Sequence, residues 1–241
     1  MESKKITSTQ SDPPARRWYD DACGTAHALE LVGERWSLLI LRELMFGPRR
    51  FGDIRTSLPG LSANVLSQRL ETLEGHGLVV RSRLPPPAAV QVYGLTAWGY
   101  EADALLMVLG RWAARSPDHD PRLPLSESSL MLSLRTMFRA GAAGGVAMTV
   151  GFVFGDQSFH VRIAGQALTA ARGDVAGADV VFRATPEAMA AFVYGKRPLQ
   201  ALETDGAITL AGDRAAALRF QDLFELPDKA SVATPTAPAA T

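Results

Sequence analysis

A single cysteine in 241 residues excludes an intramolecular disulfide framework. The four histidines, His27, His76, His119 and His160, are scattered, and with Cys23 as the only thiol they form no cluster of zinc-binding spacing. The glycine-rich GAAGG at 141–145 lacks the lysine and the Ser or Thr of a phosphate loop. No other catalytic constellation stands out, so the expectation is a protein that is not an enzyme and needs no cofactor. No apolar run reaches the ~18 residues that a membrane span requires. The first ten residues, MESKKITSTQ, lack the apolar centre of a secretory signal, and the expected location is the cytoplasm. Lys and Arg number 25 and Asp and Glu number 25, which argues against wholesale electrostatic capture of nucleic acid and leaves local patches open.

One such patch is present. Between Arg49 and Arg83, the arginines Arg49, Arg50, Arg55, Arg69, Arg81 and Arg83 face only Asp53, Glu71 and Glu74, a local excess of +3. The surrounding pattern is that of a winged helix-turn-helix. A helix over about Ala22 to Val32 follows Asp20 and Asp21 and stops at Gly33. A second, Glu34 to Phe46, is apolar on most faces and predicts the centre of the domain. After Gly47 and Pro48 come a short helix, Phe51 to Leu58, a turn at Pro59 and Gly60, and a helix that Ser62 caps and Gly77 ends. Leu78 to Arg83 and Val90 to Leu95, joined through Pro85, Pro86 and Pro87, read as the β-ribbon wing.

In the helix after Ser62, Leu66, Leu70 and Leu73 recur at helical spacing and face inward, which turns Asn64, Ser67, Gln68 and Glu71 outward. The major groove admits one α-helix, and Asn64 and Gln68 have the donor and acceptor pair that adenine accepts bidentately. Ser62 and Ser67 suit phosphate or base, Arg49, Arg50, Arg55 and Arg69 suit phosphates, and Arg81 and Arg83 belong to the wing. The alternative is a row that is merely solvated, with Arg69 paired inside the domain to Glu71 or Glu43. Thr96 opens a further helix on which Trp98, Ala102, Leu105, Leu109 and Trp112 recur at four-three spacing, a seam suited to a second copy. The alternative there is packing on the same domain.

Segments 23–36 (CGTAHALELVGERW), 39–44 (LILREL), 47–51 (GPRRF), 66–70 (LSQRL), 77–79 (GLV) and 93–96 (YGLT) together resemble the HxlR family of bacterial winged-helix regulators, relatives of MarR. The resemblance covers about Asp20 to Arg115. It implies a homodimer on double-stranded DNA, at a pseudo-palindromic operator, with Ser62 to Gln68 in successive major grooves. Relatives commonly carry a charged residue after the wing prolines, where this chain has Ala88 and Ala89, which bears on minor-groove contact by the wing. Some relatives sense electrophiles or oxidants through a cysteine at the position of Cys23. Cys23 and His27 are four apart and share a helical face near a helix N-terminus, an arrangement that favours thiolate; Asp20 and Asp21 oppose it, and an inert cysteine is the alternative.

Three prolines between Arg115 and Pro124 mark a linker, with a boundary near Pro121. The expected organisation is a polar segment at 1–17, a winged domain at 18–115, a linker at 116–125, a second domain at 126–228 and an Ala/Pro/Thr tail at 229–241, the two ends disordered. The second domain reads as α+β: an amphipathic helix carrying Leu130, Leu134 and Met137, then strands Val146 to Phe154, Ser158 to Ile163, Ala167 to Ala171 and Val180 to Ala184 as an antiparallel meander. Helices start at Thr185 and Asp213, with a short helix near Pro198 to Glu203 and a strand at Ala207 to Ala211 between them. The run 178–190 (ADVVFRATPEAMA), the turn at Tyr194 and Gly195, and 206–213 (GAITLAGD) before Phe220 and Phe224 resemble the sterol carrier protein type 2 family over roughly Val146 to Leu226. That resemblance implies a curved five-stranded sheet covered by helices, holding a lipid or other apolar molecule between them. Phe152, Phe154, Phe159, Met189, Phe192, Val193, Leu199, Leu202, Leu218 and Phe220 are the candidate lining, with a filled core as the alternative.

The expectation is a dimeric transcription regulator whose second domain senses an apolar effector or strengthens the dimer. The competing expectation is a lipid or small-molecule carrier whose winged domain binds protein.

Overall fold

A computed structural model describes residues 19–231; the expectations for 1–17 and 232–241 lie outside the described residues. The winged half runs α1 (Gly24–Val32), α2 (Ser37–Leu44), α3 (Phe51–Ser57), α4 (Ala63–Gly75), β1 (Val79–Arg83), β2 (Gln91–Leu95) and α5 (Ala97–Ala114). Ser62 caps α4, its hydroxyl accepting from the Val65 amide at 3.3 Å, and Gly77 follows in a left-handed conformation (φ 73°) that only glycine adopts without strain. Thr96 caps α5 through the Gly99 amide. The central helix begins three residues later than Glu34, because Trp36 sits at φ 82° with its ring beside Gly60, and only from Trp36 does a carbonyl accept the first helical bond, from Ile40. Ile40, Leu41 and Leu44 of α2, Ile54 of α3, and Leu66, Leu70 and Leu73 of α4 are fully or almost fully buried and form the core of this half.

Two close approaches lock the wing to this core. Arg49 exchanges both backbone hydrogen bonds with Tyr93 (2.9 and 2.8 Å), so the segment before α3 acts as a third short strand beside β2. Gly99 lies against the start of the wing, where a Cβ would stand 2.1 Å from the Leu78 carbonyl oxygen. Gly99→Ala is therefore expected to force α5 away from the wing and cost about 1–3 kcal/mol, despite the higher helix propensity of alanine. Chemical denaturation checks this, since a neutral or stabilising result would mean that α5 is not seated on Leu78.

The second half contains α6 (Glu127–Met137), a 3-10 turn (Ala140–Ala143), β3 (Ala147–Phe154), β4 (Gln157–Ala164), β5 (Ala167–Arg172), β6 (Val180–Ala184), α7 (Pro186–Val193), α8 (Leu199–Thr204), β7 (Ile208–Gly212) and α9 (Arg214–Asp222). The whole protein is thus α+β, with a helix-turn-helix region followed by a five-stranded sheet in the order β5-β4-β3-β6-β7. The expected antiparallel meander holds only for β3, β4 and β5; β6 crosses to the far side of β3 and pairs with it in parallel. The crossing segment lies over the sheet at Gly151, where a Cβ would meet Val175 at 2.7 Å. Asp179 then fixes the return, its carboxylate accepting from the Thr149 amide at 2.7 Å and its own amide donating to the Thr149 carbonyl.

The helices cover one face of this sheet, and aromatic rings fill the interface. Phe152 packs on Phe154, Phe182 and Phe220 at centroid distances of 6.0, 5.8 and 5.8 Å, and Phe182 packs on Phe192 at 5.5 Å. Of the ten residues proposed to line a ligand cavity, Phe152, Phe154, Phe159, Met189, Phe192, Val193, Leu199, Leu202 and Phe220 are buried in these mutual contacts, and Leu218 points outward, 45% exposed. Their rings pack against one another, which is the arrangement of the filled-core alternative.

The two halves share one continuous core. Helix α6 lies across α2 and α5; its Arg135 makes a bidentate ion pair with Asp103 of α5 (2.6 Å for each bond). Phe46 of the winged half meets Phe159 of β4 edge to face at 5.9 Å. The chain also returns to the winged half at its end. Lys229 Nζ donates to the carbonyls of Ala114, Ser116 and His119, fastening the chain to the end of α5 and the segment after it, so the described structure continues past the expected start of the tail at 229.

Candidate nucleic-acid interface

Helices α3 and α4 present the face that the sequence pattern anticipates. With the leucine row of α4 buried, Ser62, Asn64, Ser67 and Gln68 are all exposed on its opposite side. Arg50, at the N-cap of α3, and Arg55, in its last turn, are exposed and make no ion pair among the described residues. They are the guanidinium groups beside α4 that retain their hydrogen-bonding capacity.

The other arginines have different positions. Arg49 is buried and donates to Glu43 Oε2 at 2.7 Å, a geometry that removes it from any phosphate. Arg69 is partly buried and pairs with Glu34 at 3.0 Å, so its partner lies at the end of α1 rather than at Glu71 or Glu43. On the wing, Arg81 pairs with Glu74 at 2.7 Å and lies over the Tyr93 ring, while Arg83 Nε donates to the Ala89 carbonyl at 2.9 Å. Both wing arginines are exposed, and each holds its position through one bond that still leaves other donors facing outward.

Glu43, which the sequence offers only as a possible partner of Arg69, instead organises a buried polar cluster. It is fully buried on α2 and gathers four groups: Arg49, Arg42 through Nε and Nη2 (3.1 and 2.9 Å), the Ser126 hydroxyl at 2.6 Å, and, on its backbone carbonyl, the Ser128 hydroxyl at 3.4 Å. Ser126 is at the same time the N-cap of α6. A polar cluster therefore ties the second half to Arg49, and through the Arg49 and Tyr93 backbone bonds to the wing. Nothing local marks Glu43, since a glutamate between Arg42 and Leu44 reads as an ordinary surface position of a helix.

Helix α5 turns Leu106 and Ala114 inward and leaves Trp98, Leu105, Leu109 and Trp112 exposed, with Trp112 at 73%; Ala102 is partly buried. Val108, outside the sequence-derived stripe, widens this apolar face and is 69% exposed; Tyr100, also exposed, lies well round the helix from that face. Leu29 is also exposed on α1, a helix with no buried residue. Cys23 is exposed at the start of α1. Hydrogen bonding from the backbone and hydroxyl of Thr25, and then from the Ala26 amide, holds its thiol below the ordinary range, the opposite of the effect expected from Asp20 and Asp21. Among the described residues, no group of His, Cys, Asp and Glu could hold a metal ion, and no helix is long and apolar enough to cross a membrane.

Comparison with known proteins divides the chain where the fold does. Residues 31–121 match the HxlR-like helix-turn-helix family, and residues 129–231 match the alkyl sulfatase C-terminal family. An uncharacterized HTH-type transcriptional regulator of Synechocystis sp. is 39% identical over 43% of this chain and 76% of its own. The HTH-type transcriptional regulator YodB of Bacillus subtilis is 37% identical over 36% of this chain and 77% of its own. Among solved structures, the stereoselective inverting sec-alkylsulfatase Pisa1 from Pseudomonas sp. is 24% identical, with a TM-score of 0.40, over 44% of this chain and 17% of that one. Relatives at this identity, matched over three quarters of their own length by the half that carries α1 to α5, place the protein in the HxlR-like helix-turn-helix family.

Proposed function

We propose that this protein is a sequence-specific, DNA-binding transcription regulator that acts as a homodimer in the cytoplasm, and not an enzyme. The observation that carries the reading is the exposed row Ser62, Asn64, Ser67 and Gln68 on α4, backed by buried leucines and flanked by exposed Arg50 and Arg55. A helix held rigidly from behind and polar in front meets the geometric demand of the major groove. Arg50 and Arg55 lie on phosphates, and Arg81 and Arg83 bring the wing to the backbone. The broad apolar face of α5 is the dimer seam; two copies related by a two-fold axis present their α4 helices to successive major grooves of a pseudo-palindromic site.

The test is fluorescence anisotropy on duplex DNA from the promoter of its own gene and on random duplex. Asn64→Ala and Gln68→Ala are each expected to lose roughly 1–3 kcal/mol on the promoter site and much less on random DNA. Arg55→Ala is expected to weaken both duplexes and flatten the salt dependence. Equal losses on both duplexes for Asn64→Ala would remove base reading from the proposal.

The second half is read as a sterol-carrier-like module that serves this regulator. Five strands with helices over one face support that reading, whereas the packed phenylalanines argue against a ligand within it and against a carrier as the main function. A second mode of response, a thiol sensor at Cys23, is favoured by its exposure and by the lowering of its thiol. Diamide would then release DNA from the wild type and not from Cys23→Ser.

A further inference from the structure

Helix α2 turns Leu38 and Leu39 toward the junction of α5 and α6, and a cleft of about 360 Å³ opens there. Its walls come from both halves: Leu38, Leu106 and Ala113 on one side, Leu132, Met137 and Leu226 on the other. A second recess of similar volume, beneath Trp36, Pro59 and Leu125, adjoins it, and Leu39, Arg42 and Ser129 line both. Arg42 thus stands where the two meet. Its Nε and Nη2 donate to Glu43 Oε1, and its Nη1 makes no hydrogen bond among the described residues. Glu43 is shared with Arg49, so one buried carboxylate serves two guanidinium groups and leaves an excess positive charge beside the cleft. Glu127 lines only the second recess, which makes the cleft itself the anion-favouring side.

We propose that this seam binds a small amphiphile with one anionic group: the acid on Arg42 Nη1 and the Ser129 hydroxyl, and the apolar body along Leu38, Leu106, Leu132 and Met137. The volume is that of a small-molecule site, and an apolar wall with one convergent charge is the usual composition of such sites. A charge-assisted bond in a partly dry cleft gives selectivity for the acid over its neutral counterpart. A bound molecule touches α2, α5 and α6 together. It would therefore respond to any difference in their packing between DNA-competent and incompetent states, so the proposal rests on the regulator reading only for its consequence and not for the binding itself.

The test uses the full-length protein without DNA, titrated by calorimetry with decanoate and with decanol below their aggregation concentrations. Wild type is expected to take up decanoate at one saturable site and to bind decanol at least tenfold more weakly. Arg42→Met is expected to remove that preference while leaving decanol binding in place. Ala113→Phe and Gly110→Leu both add side chains into the cleft from exposed positions of α5, and each is expected to abolish decanoate binding without lowering the melting temperature of the free protein. Equal affinity of wild type for decanoate and decanol, or decanoate binding that survives both α5 variants, would overturn the site. Because no DNA is present, a protein that binds decanoate in this manner yet ignores every duplex would overturn the proposed function and leave this site standing.

Discussion

Glu43→Ala is expected to destabilise the protein by about 3–5 kcal/mol, a large share of the stability of an ordinary domain. The carboxylate has no exposed surface, and Arg49, whose charge it balances, is only 7% exposed. Removing it leaves a guanidinium in a low-dielectric site without its partner, and deprives Ser126 of the acceptor that joins α6 to α2. Desolvation dominates here, because a buried ion pair contributes little net stability while half of one is strongly unfavourable. Glu43→Leu combined with Arg49→Met removes both charges together and is expected to recover most of the loss. Thermal unfolding reads both variants, with a fall on the order of 10 °C for the single change. A single variant that melts within 2 °C of wild type, an allowance of about 1 kcal/mol, would show that water reaches this cluster.

Leu105→Glu with Val108→Glu is expected to convert the proposed homodimer to monomer. Both side chains are exposed in the protomer, at 39% and 69%, so the substitutions leave its own core intact and act only where a second copy covers α5. Burying an unpaired carboxylate costs several kcal/mol, and two copies of each substitution lie in a symmetric seam; the dimer Kd should rise by roughly a thousandfold or more. Sedimentation velocity measures the change, with unchanged helical circular dichroism as the control. Operator affinity should fall with it, since one half-site then has to bind alone. A dimer that survives both carboxylates would place the interface elsewhere, for example on the outer face of the second half.

The helix-turn-helix was legible because its signals are local. The Ser62 cap, the Leu66, Leu70 and Leu73 spacing and the glycine after α4 each act within a few residues, and the structure places each as the pattern requires. The delayed start of α2 was not legible, since Trp36 takes a left-handed conformation in order to place its ring beside Gly60, a contact across more than twenty residues of sequence. Strand positions in the second half were also legible from alternation and turns. Their partners were not: β6 pairs in parallel with β3 because Gly151 lets the segment carrying Val175 pass over the sheet, and a glycine within a strand pattern does not announce what crosses it.

The same division governs the candidate sites. By itself the sequence determined which helix face is polar, where positive charge concentrates and that α5 carries an apolar stripe, all of which follow from residue type and helical period. The tertiary structure decided which arginines keep free donors, since Arg49 and Arg69 are taken up by Glu43 and Glu34 while Arg50 and Arg55 are not. It also decided that the phenylalanines of the second half pack on one another and that an open cleft lies at the seam of the two halves. Composition fixes how much apolar surface and charge a chain must place. Which pairs meet, and whether a gap remains between them, depends on helix crossings and strand order set by contacts far apart in sequence.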